Sequence, residues 1–251
     1  MTGRRVLGIA IVLALAAGFG TVVPERRAVA LAGSTVAVIG DYGVNTTAEG
    51  SVATLVAGWN PAAVVTVGDN YYTSSATGDY DKVVGKYYCA FLKGAGSGTN
   101  CAGGTADVNR FFPATGNHDY SDGGISNYTS YFALPGTELV YGQVVGDVEF
   151  FFIDSQACLN SGSELSAERT WLQNGIAAST VAWQVVVLHH PPYSSSSSHG
   201  STGAMQWDFV GMGADLVLAG HDHTYERLSV GGLTYVVNGL GGAGRYSFGT
   251  A

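Results

Sequence analysis

Five short motifs hold most of the residues in this 251-residue chain that could do metal or acid–base chemistry. In chain order they are Gly40-Asp41-Tyr42-Gly43, Gly68-Asp69-Asn70-Tyr71-Tyr72, Gly116-Asn117-His118-Asp119, Val186-Val187-Leu188-His189 and Gly220-His221-Asp222-His223. Four of the six histidines lie inside them; His190 adjoins one, and His199 follows His189 by ten residues. Histidine is the commonest metal ligand and the usual proton carrier near neutral pH. Asp41, Asp69, Tyr72, Asn117, His189, His221 and His223 make seven candidate donors. That is too many for one tetrahedral zinc. They suit two cations about 3.5–4 Å apart that share a carboxylate, a site able to hold both the attacking and the leaving oxygen of an in-line displacement. Taken singly, Asp41 and Asp69 also read as turn or N-cap residues, Asn117 as a turn former and Tyr72 as a core tyrosine. The order of all five motifs carries the metal reading, not any one of them.

The elements that must position these residues are visible as short apolar runs: Thr35–Ile39, Ala63–Val67, Glu149–Ile153, Gln184–Leu188, Asp215–Ala219 and Thr234–Val237. They are rich in Val, Ile and Phe and too short for helices, so they predict buried strands. Helical spacing of Ala48, Val52, Leu55, Val56 and Trp59 predicts a helix ended by Asn60-Pro61. Further helices are expected over Asp81–Leu92, after Ser166 as N-cap with Trp171, Leu172 and Ile176 on one face, and over about Ala204–Val210. Strands alternating with helices give an α/β fold. Asp41, Asp69, His189 and His221 each end or follow a predicted strand, and open α/β sheets bind ligands beyond the carboxyl ends of their strands. Residues distant in sequence are thus expected to meet at one rim. The serine run Ser194–Ser198 reads as a mobile loop.

Residues 1–30 read as a signal peptide: Arg4-Arg5, an apolar stretch from Val6 to Val23, and Ala28-Val29-Ala30 as a small-x-small cleavage site. An uncleaved membrane anchor is the alternative. Residues 31–251 would form the functional domain, secreted or periplasmic, with 7 basic against 18 acidic side chains. That balance argues against nucleic acid and against an anionic membrane surface. It does not exclude a phosphate substrate, because bound cations reverse the local field. Export permits a disulfide. Cys89 and Cys101 bracket the glycine-rich stretch 94–98 and are the expected pair, with Cys158 left over; three free thiols are the other reading.

The motifs GDxG, GDxxY, GNH(D/E), VxxH and GHxH resemble those of the calcineurin-like metallophosphoesterases, and within them the purple acid phosphatases. The chain matches every one in order from Asp41 to His223, and the stretch from Gly220 to Arg227 (GHDHTYER) looks like the plant version. The resemblance implies a four-layer α/β/β/α sandwich of two mixed sheets, with the metal site at the C-terminal ends of the strands. It implies Fe(III) held by Asp41, Asp69, Tyr72 and His223, and a divalent ion (Fe, Zn or Mn) held by Asp69, Asn117, His189 and His221, with Asp69 as the bridge. Hard oxygen donors on the higher-charged ion agree with that division. A phenol, which ionises near pH 10 in water, roughly, needs a strong Lewis acid to serve as an anion.

The implied activity is acid hydrolysis of phosphomonoesters by a metal-bound hydroxide. His118 and His199 would bind the phosphate and protonate the leaving alkoxide, and Asp119 would orient its neighbour. His190 reads as packing. The partner would be a small phosphoester, with oligomeric state left open. A phosphodiesterase or nucleotidase on the same site is the nearer rival. A non-catalytic, secreted phosphate-binding protein is the rival from another class.

Overall fold

A computed structural model describes residues 35–72, 80–94, 96, 98–121 and 125–249. The expected signal segment lies outside these residues. Among them, no helix is long and apolar enough to cross a membrane.

The first sheet contains β1 (Val36–Ile39), β2 (Ala63–Thr66) and β3 (Phe111–Pro113), all parallel, with Val36 opposite Ala63 and Val64 opposite Phe111. The second contains β4 (Tyr141–Val145), β5 (Val148–Phe152), β6 (Trp183–Val187), β7 (Leu216–Ala219), β8 (Tyr225–Val230) and β9 (Leu233–Asn238), in the order β4-β5-β6-β7-β9-β8. Its central strands β5, β6, β7 and β9 are parallel, and the edge strands β4 and β8 run antiparallel to their neighbours. Parallel strands buried on both faces need continuous apolar sequence. Here they read VAVI, AVVT, WQVVV and LVLA.

Alternation along the strands divides the core into three layers of contact. Ala63, Val65 and Phe112 of the first sheet meet Phe150, Phe152, Val185, Val187 and Leu216 of the second. Val64 and Phe111 point the other way, onto Ala53 and Val56 of helix α1 (Thr47–Trp59). Phe151, Val186 and Val217 point outward from the second sheet, onto Leu172 and Ile176 of a long helix, residues 162–178. The result is the four-layer α/β/β/α sandwich.

α1 ends where expected, with Asn60 in the left-handed region at φ 43°, and it starts at Thr46, whose side chain accepts Glu49 N–H. The expected helix over Asp81–Leu92 is composite, running from a π-helical turn (Asp81–Gly85) through α2 (Lys86–Tyr88) to a 3-10 turn (Cys89–Phe91). It is tied at both ends. Asp81 accepts the Asn100 and Cys101 amides, and Cys89 is disulfide-bonded to Cys101. Cys158 is free and buried. Short helices α3 (Ser126–Tyr131) and α4 (Ser155–Asn160) precede the long helix, α5 (Gly162–Ala178).

Two expected boundaries are corrected. The N-cap of α5 is Ser161, which accepts Glu164 N–H; Ser166 lies inside the helix and bonds back to the Gly162 carbonyl. The helix expected over Ala204–Val210 is split into a 3-10 turn (Gly203–Met205) and α6 (Phe209–Met212), because Asp208 starts a new cap by accepting Gly211 N–H.

Candidate metal centre

Three of the candidate donors sit at the C-terminal side of a strand in the left-handed region: Asp41 after β1 (φ 55°), Asp69 after β2 (φ 52°) and His221 after β7 (φ 68°). Such backbone is costly for residues other than glycine and persists where the surroundings over-determine it. It turns each chain sharply at the sheet edge, so that the side chains face one another. The neighbouring glycines leave room for them. A Cβ on Gly68 (φ +95°) would lie 2.6 Å from His189 Nδ1, and one on Gly116 would lie 2.2 Å from Asp69 Oδ1.

Two groups of donors result. In one, the Tyr72 hydroxyl is 3.1 Å from both Asp41 Oδ1 and His223 Nε2, and His223 Nε2 is 3.4 Å from Asp41 Oδ1. In the other, His189 Nε2 is 3.0 Å from Asn117 Oδ1, 3.2 Å from His221 Nδ1 and 3.3 Å from Asp69 Oδ2. Ligand atoms of Asp69, His189 and His221 all lie within 4.8 Å of one another. Asp41, Asp69 and His189 are almost fully buried. All seven expected donors are therefore brought together.

The opposite ring nitrogens decide what these donors offer. His189 Nδ1 is 2.9 Å from the Val67 carbonyl, and His223 Nδ1 is 2.6 Å from the Gly244 carbonyl. A carbonyl only accepts, so each Nδ1 carries the hydrogen and each Nε2 is directed at its group as a potential lone pair. These two carbonyls had no signal in the sequence, since any residue supplies one.

The charge states follow. Burial pushes the Asp69 carboxyl up, but His189 and then His118 outweigh it and hold it below the usual range. Burial pushes His189 down, but Asp69 reverses this and raises it to about 9. Burial, with His189 close by, holds His221 well below the ordinary imidazole range. Burial, followed by Asp41 and Asp69, pushes the Tyr72 phenol far above its ordinary value. In the protein alone, a proton on His189 holds its group together; a cation would replace it, with the converging oxygen and nitrogen donors already in place. The residues present thus fit a pair of metal ions.

His118 and His199 lie at the rim. His118 is 39% exposed, its ring 4.3 Å from that of Tyr72, and its backbone N–H donates to Asp69 Oδ1. His199 is exposed and stacks on His221 with centroids 4.0 Å apart. Asp119 does not orient His118 through its ring. Its carboxylate accepts Gly116 N–H, the Asn70 amide and the Tyr80 hydroxyl, and so fixes the turn that carries Asn117. His190 packs against His189 and His221, with Nδ1 2.9 Å from Ser155 Oγ.

The serine run expected to be mobile is instead pinned. Asp222 and Glu226 accept from it on one side, and residues 247–249 bond to it on the other. Sequence reasoning passed over Asp222, although its place between His221 and His223 was a signal. It also passed over Tyr246, which stacks on His223 at 4.0 Å.

Residues 34–225 match the family described as Calcineurin-like phosphoesterase. The chain is 34% identical over 100 residues to Fe(3+)-Zn(2+) purple acid phosphatase 12 of Arabidopsis thaliana, covering 36% of this chain and 21% of that one. It is 26% identical over 221 residues to purple acid phosphatase 23 of the same plant, covering 77% and 47%. The chain thus spans less than half the length of these relatives. A purple acid phosphatase from yellow lupin (Lupinus luteus) seeds superposes with a TM-score of 0.64 at 16% identity, covering 86% of this chain and 46% of that one. A similar fold, TM-score 0.60 at 17% identity and covering 82% and 71%, occurs in GAP50, described as the anchor in the inner membrane complex of Plasmodium. Ordered motifs, converging donors and a family match over most of its length together make the chain a member of the calcineurin-like phosphoesterase family, similar within it to the purple acid phosphatases.

Proposed function

We propose that the chain is an exported acid phosphatase that hydrolyses phosphomonoesters at a binuclear metal centre, with residues 31–251 as the phosphoesterase domain. The observation that carries this reading is the pair of imidazoles whose Nδ1 atoms are tied to the Val67 and Gly244 carbonyls. Their Nε2 atoms face two separate oxygen-rich groups.

Asp41, Tyr72 and His223 would hold Fe(III), and Asn117, His189 and His221 a divalent ion, with Asp69 shared between them. Bound there, the ions would draw charge from the phosphoryl oxygens and ready a water for attack on phosphorus. Tyr72 supports iron in the first position: only a strong Lewis acid offsets the burial and the two carboxylates that keep its phenol protonated. His118 and His199, exposed on either group's rim, would hydrogen-bond the phosphate and hand a proton to the leaving oxygen. Asp119, through Gly116 and Asn70, keeps the Asn117 amide aimed inward.

Steady-state hydrolysis of a panel of monoesters and bis-esters, with metal content measured on the same samples, tests this. Expected are two metal ions per chain and faster turnover of monoesters. Faster turnover of bis-esters would make it a phosphodiesterase. Phosphate binding without turnover would make it a binding protein. N-terminal sequencing of exported protein tests cleavage after Ala30, and retention of residues 1–30 would mean an anchor.

A further inference from the structure

The loop 194–200 carries His199 yet contains five consecutive serines and no apolar side chain to anchor it. Only hydrogen bonds can hold it. Asp222 is fully buried, and its carboxylate accepts from that loop three times: from Ser194 Oγ at 2.6 Å, Gly200 N–H at 3.1 Å and His199 N–H at 3.2 Å. Glu226, also buried, accepts Ser195 N–H at 3.0 Å and Ser195 Oγ at 2.5 Å. Opposite them, Ser197 N–H and Oγ donate to the Ser247 carbonyl, and Gly249 N–H to Ser195.

We infer that Asp222 and Glu226 are positioning residues: they clamp the serine loop and thereby set His199 over the metal centre. This deepens the proposed phosphatase reading and rests on it. Hydrogen bonds to carboxylates are roughly twice as strong as neutral ones. Buried acceptors left without partners are costly. The loop therefore stays down, and the amide of His199 itself is one of the bonded groups. Its ring is left stacked on His221 at an interplanar angle of 29°, with its centroid 5.6 Å from that of Tyr246. Asp222 thus links the turn that presents His221 and His223 to the loop that presents the proton donor. His199 gives up its proton to the oxygen that leaves as the P–O bond breaks, and regains one from solvent. A displaced loop would slow most the reactions in which the leaving oxygen needs that proton.

The test compares an alkyl phosphate, whose leaving group needs protonation, with 4-nitrophenyl phosphate, whose leaving group does not. Metal-loaded wild type, His199→Ala, Asp222→Asn, Glu226→Gln and the two double variants with His199→Ala are assayed, with metal content and melting temperature alongside. His199→Ala is expected to lower kcat on the alkyl ester by about 10²-fold or more, the usual worth of a general acid, and to lower it on the aryl ester by a much smaller factor, since there only the hydrogen bond to the phosphate is lost. Asp222→Asn and Glu226→Gln are each expected to lower alkyl-ester kcat about tenfold with metal retained. Combined with His199→Ala, neither should lower it further, because coupled residues are not additive. Multiplicative loss in the doubles, or equal loss on both esters, overturns the positioning role. Unchanged alkyl-ester kcat in His199→Ala overturns it too, while leaving the phosphatase reading intact. Absence of any turnover by wild type overturns both.

Discussion

Gly68→Ala should disable one half of the site without touching a donor. Gly68 stands at φ +95°, and an added Cβ would lie 2.6 Å from His189 Nδ1 and 2.8 Å from the Thr115 carbonyl. Real Cβ contacts are not that short, and the carbonyl is backbone, so the His189 ring is the group that must give. Forcing an L side chain into positive φ costs about 1–2 kcal/mol. Swinging His189 away breaks its bond to the Val67 carbonyl and leaves a buried acceptor unpaired, about 1–3 kcal/mol more. The total of about 2–5 kcal/mol corresponds to a melting temperature lower by roughly 5–20 °C for a chain this size. The swing also withdraws Nε2 from Asn117, His221 and Asp69, so metal analysis should find the second ion lost first and the Tyr72 group still loaded. Thermal melts and metal stoichiometry on one preparation decide the matter. A variant that melts with the wild type and keeps both ions would refute the claim that this glycine makes room for the histidine.

Three further perturbations probe other parts of the argument. Replacing Cys89 and Cys101 by serine opens a loop of sequence separation 12; closing a loop of such size is worth about 3 kcal/mol, so the melt should fall by roughly 6–12 °C while the metal content holds. Glu168, buried against the Asp154 amide, is pushed up to about 8 by burial and then by Asp154. A carboxyl raised in the folded state gives stability that is complete below its ordinary value of 4.5 and is lost as the pH climbs through about 8. Glu168→Gln, neutral throughout, should flatten the fall in melting temperature across that window, and parallel curves for the two proteins would disprove the assignment. Tyr72→Phe should abolish the visible absorption of oxidised, iron-loaded protein; a colourless wild type with two zinc ions would remove iron from the proposal and leave the hydrolase.

The sequence announced the strands whose two faces are largely buried, because Val, Ile, Leu, Phe and Ala dominate there. It was silent on β3, three residues ending in Pro113, and on the edge strands β4 and β8, where one face meets solvent. Tyr225, Arg227 and Ser229 point outward along β8 and mask its periodicity. The seven candidate donors were legible because each would carry its chemistry in its side chain. The Val67 and Gly244 carbonyls that direct the imidazoles were not. Nor was the clamp on the serine loop, since low-complexity serine looks alike whether solvent or a buried carboxylate receives its hydrogen bonds. Ser166 as a helix start failed for a related reason: a serine hydroxyl inside a helix and one at its cap differ only in which backbone group they meet.

The geometry also explains why so irregular a rim survives folding. Asp41, Asp69 and His221 each hold left-handed backbone where a glycine would be easier. None can relax alone. His221 N–H donates to Asp41 Oδ2, His118 N–H donates to Asp69 Oδ1, and the Asp41 amide bonds to the Gly68 carbonyl. Each strained turn is therefore held by the side chain or backbone of another. The parallel registers of β1 with β2 and of β6 with β7 bring those turns to the same level of the sandwich. Unwinding one turn would leave a buried carboxylate without its donors, which costs more than the strain released. The sandwich thus holds its candidate donors at one spacing on its own, and under the proposed function a cation entering the site would exchange for a proton rather than having to assemble the site.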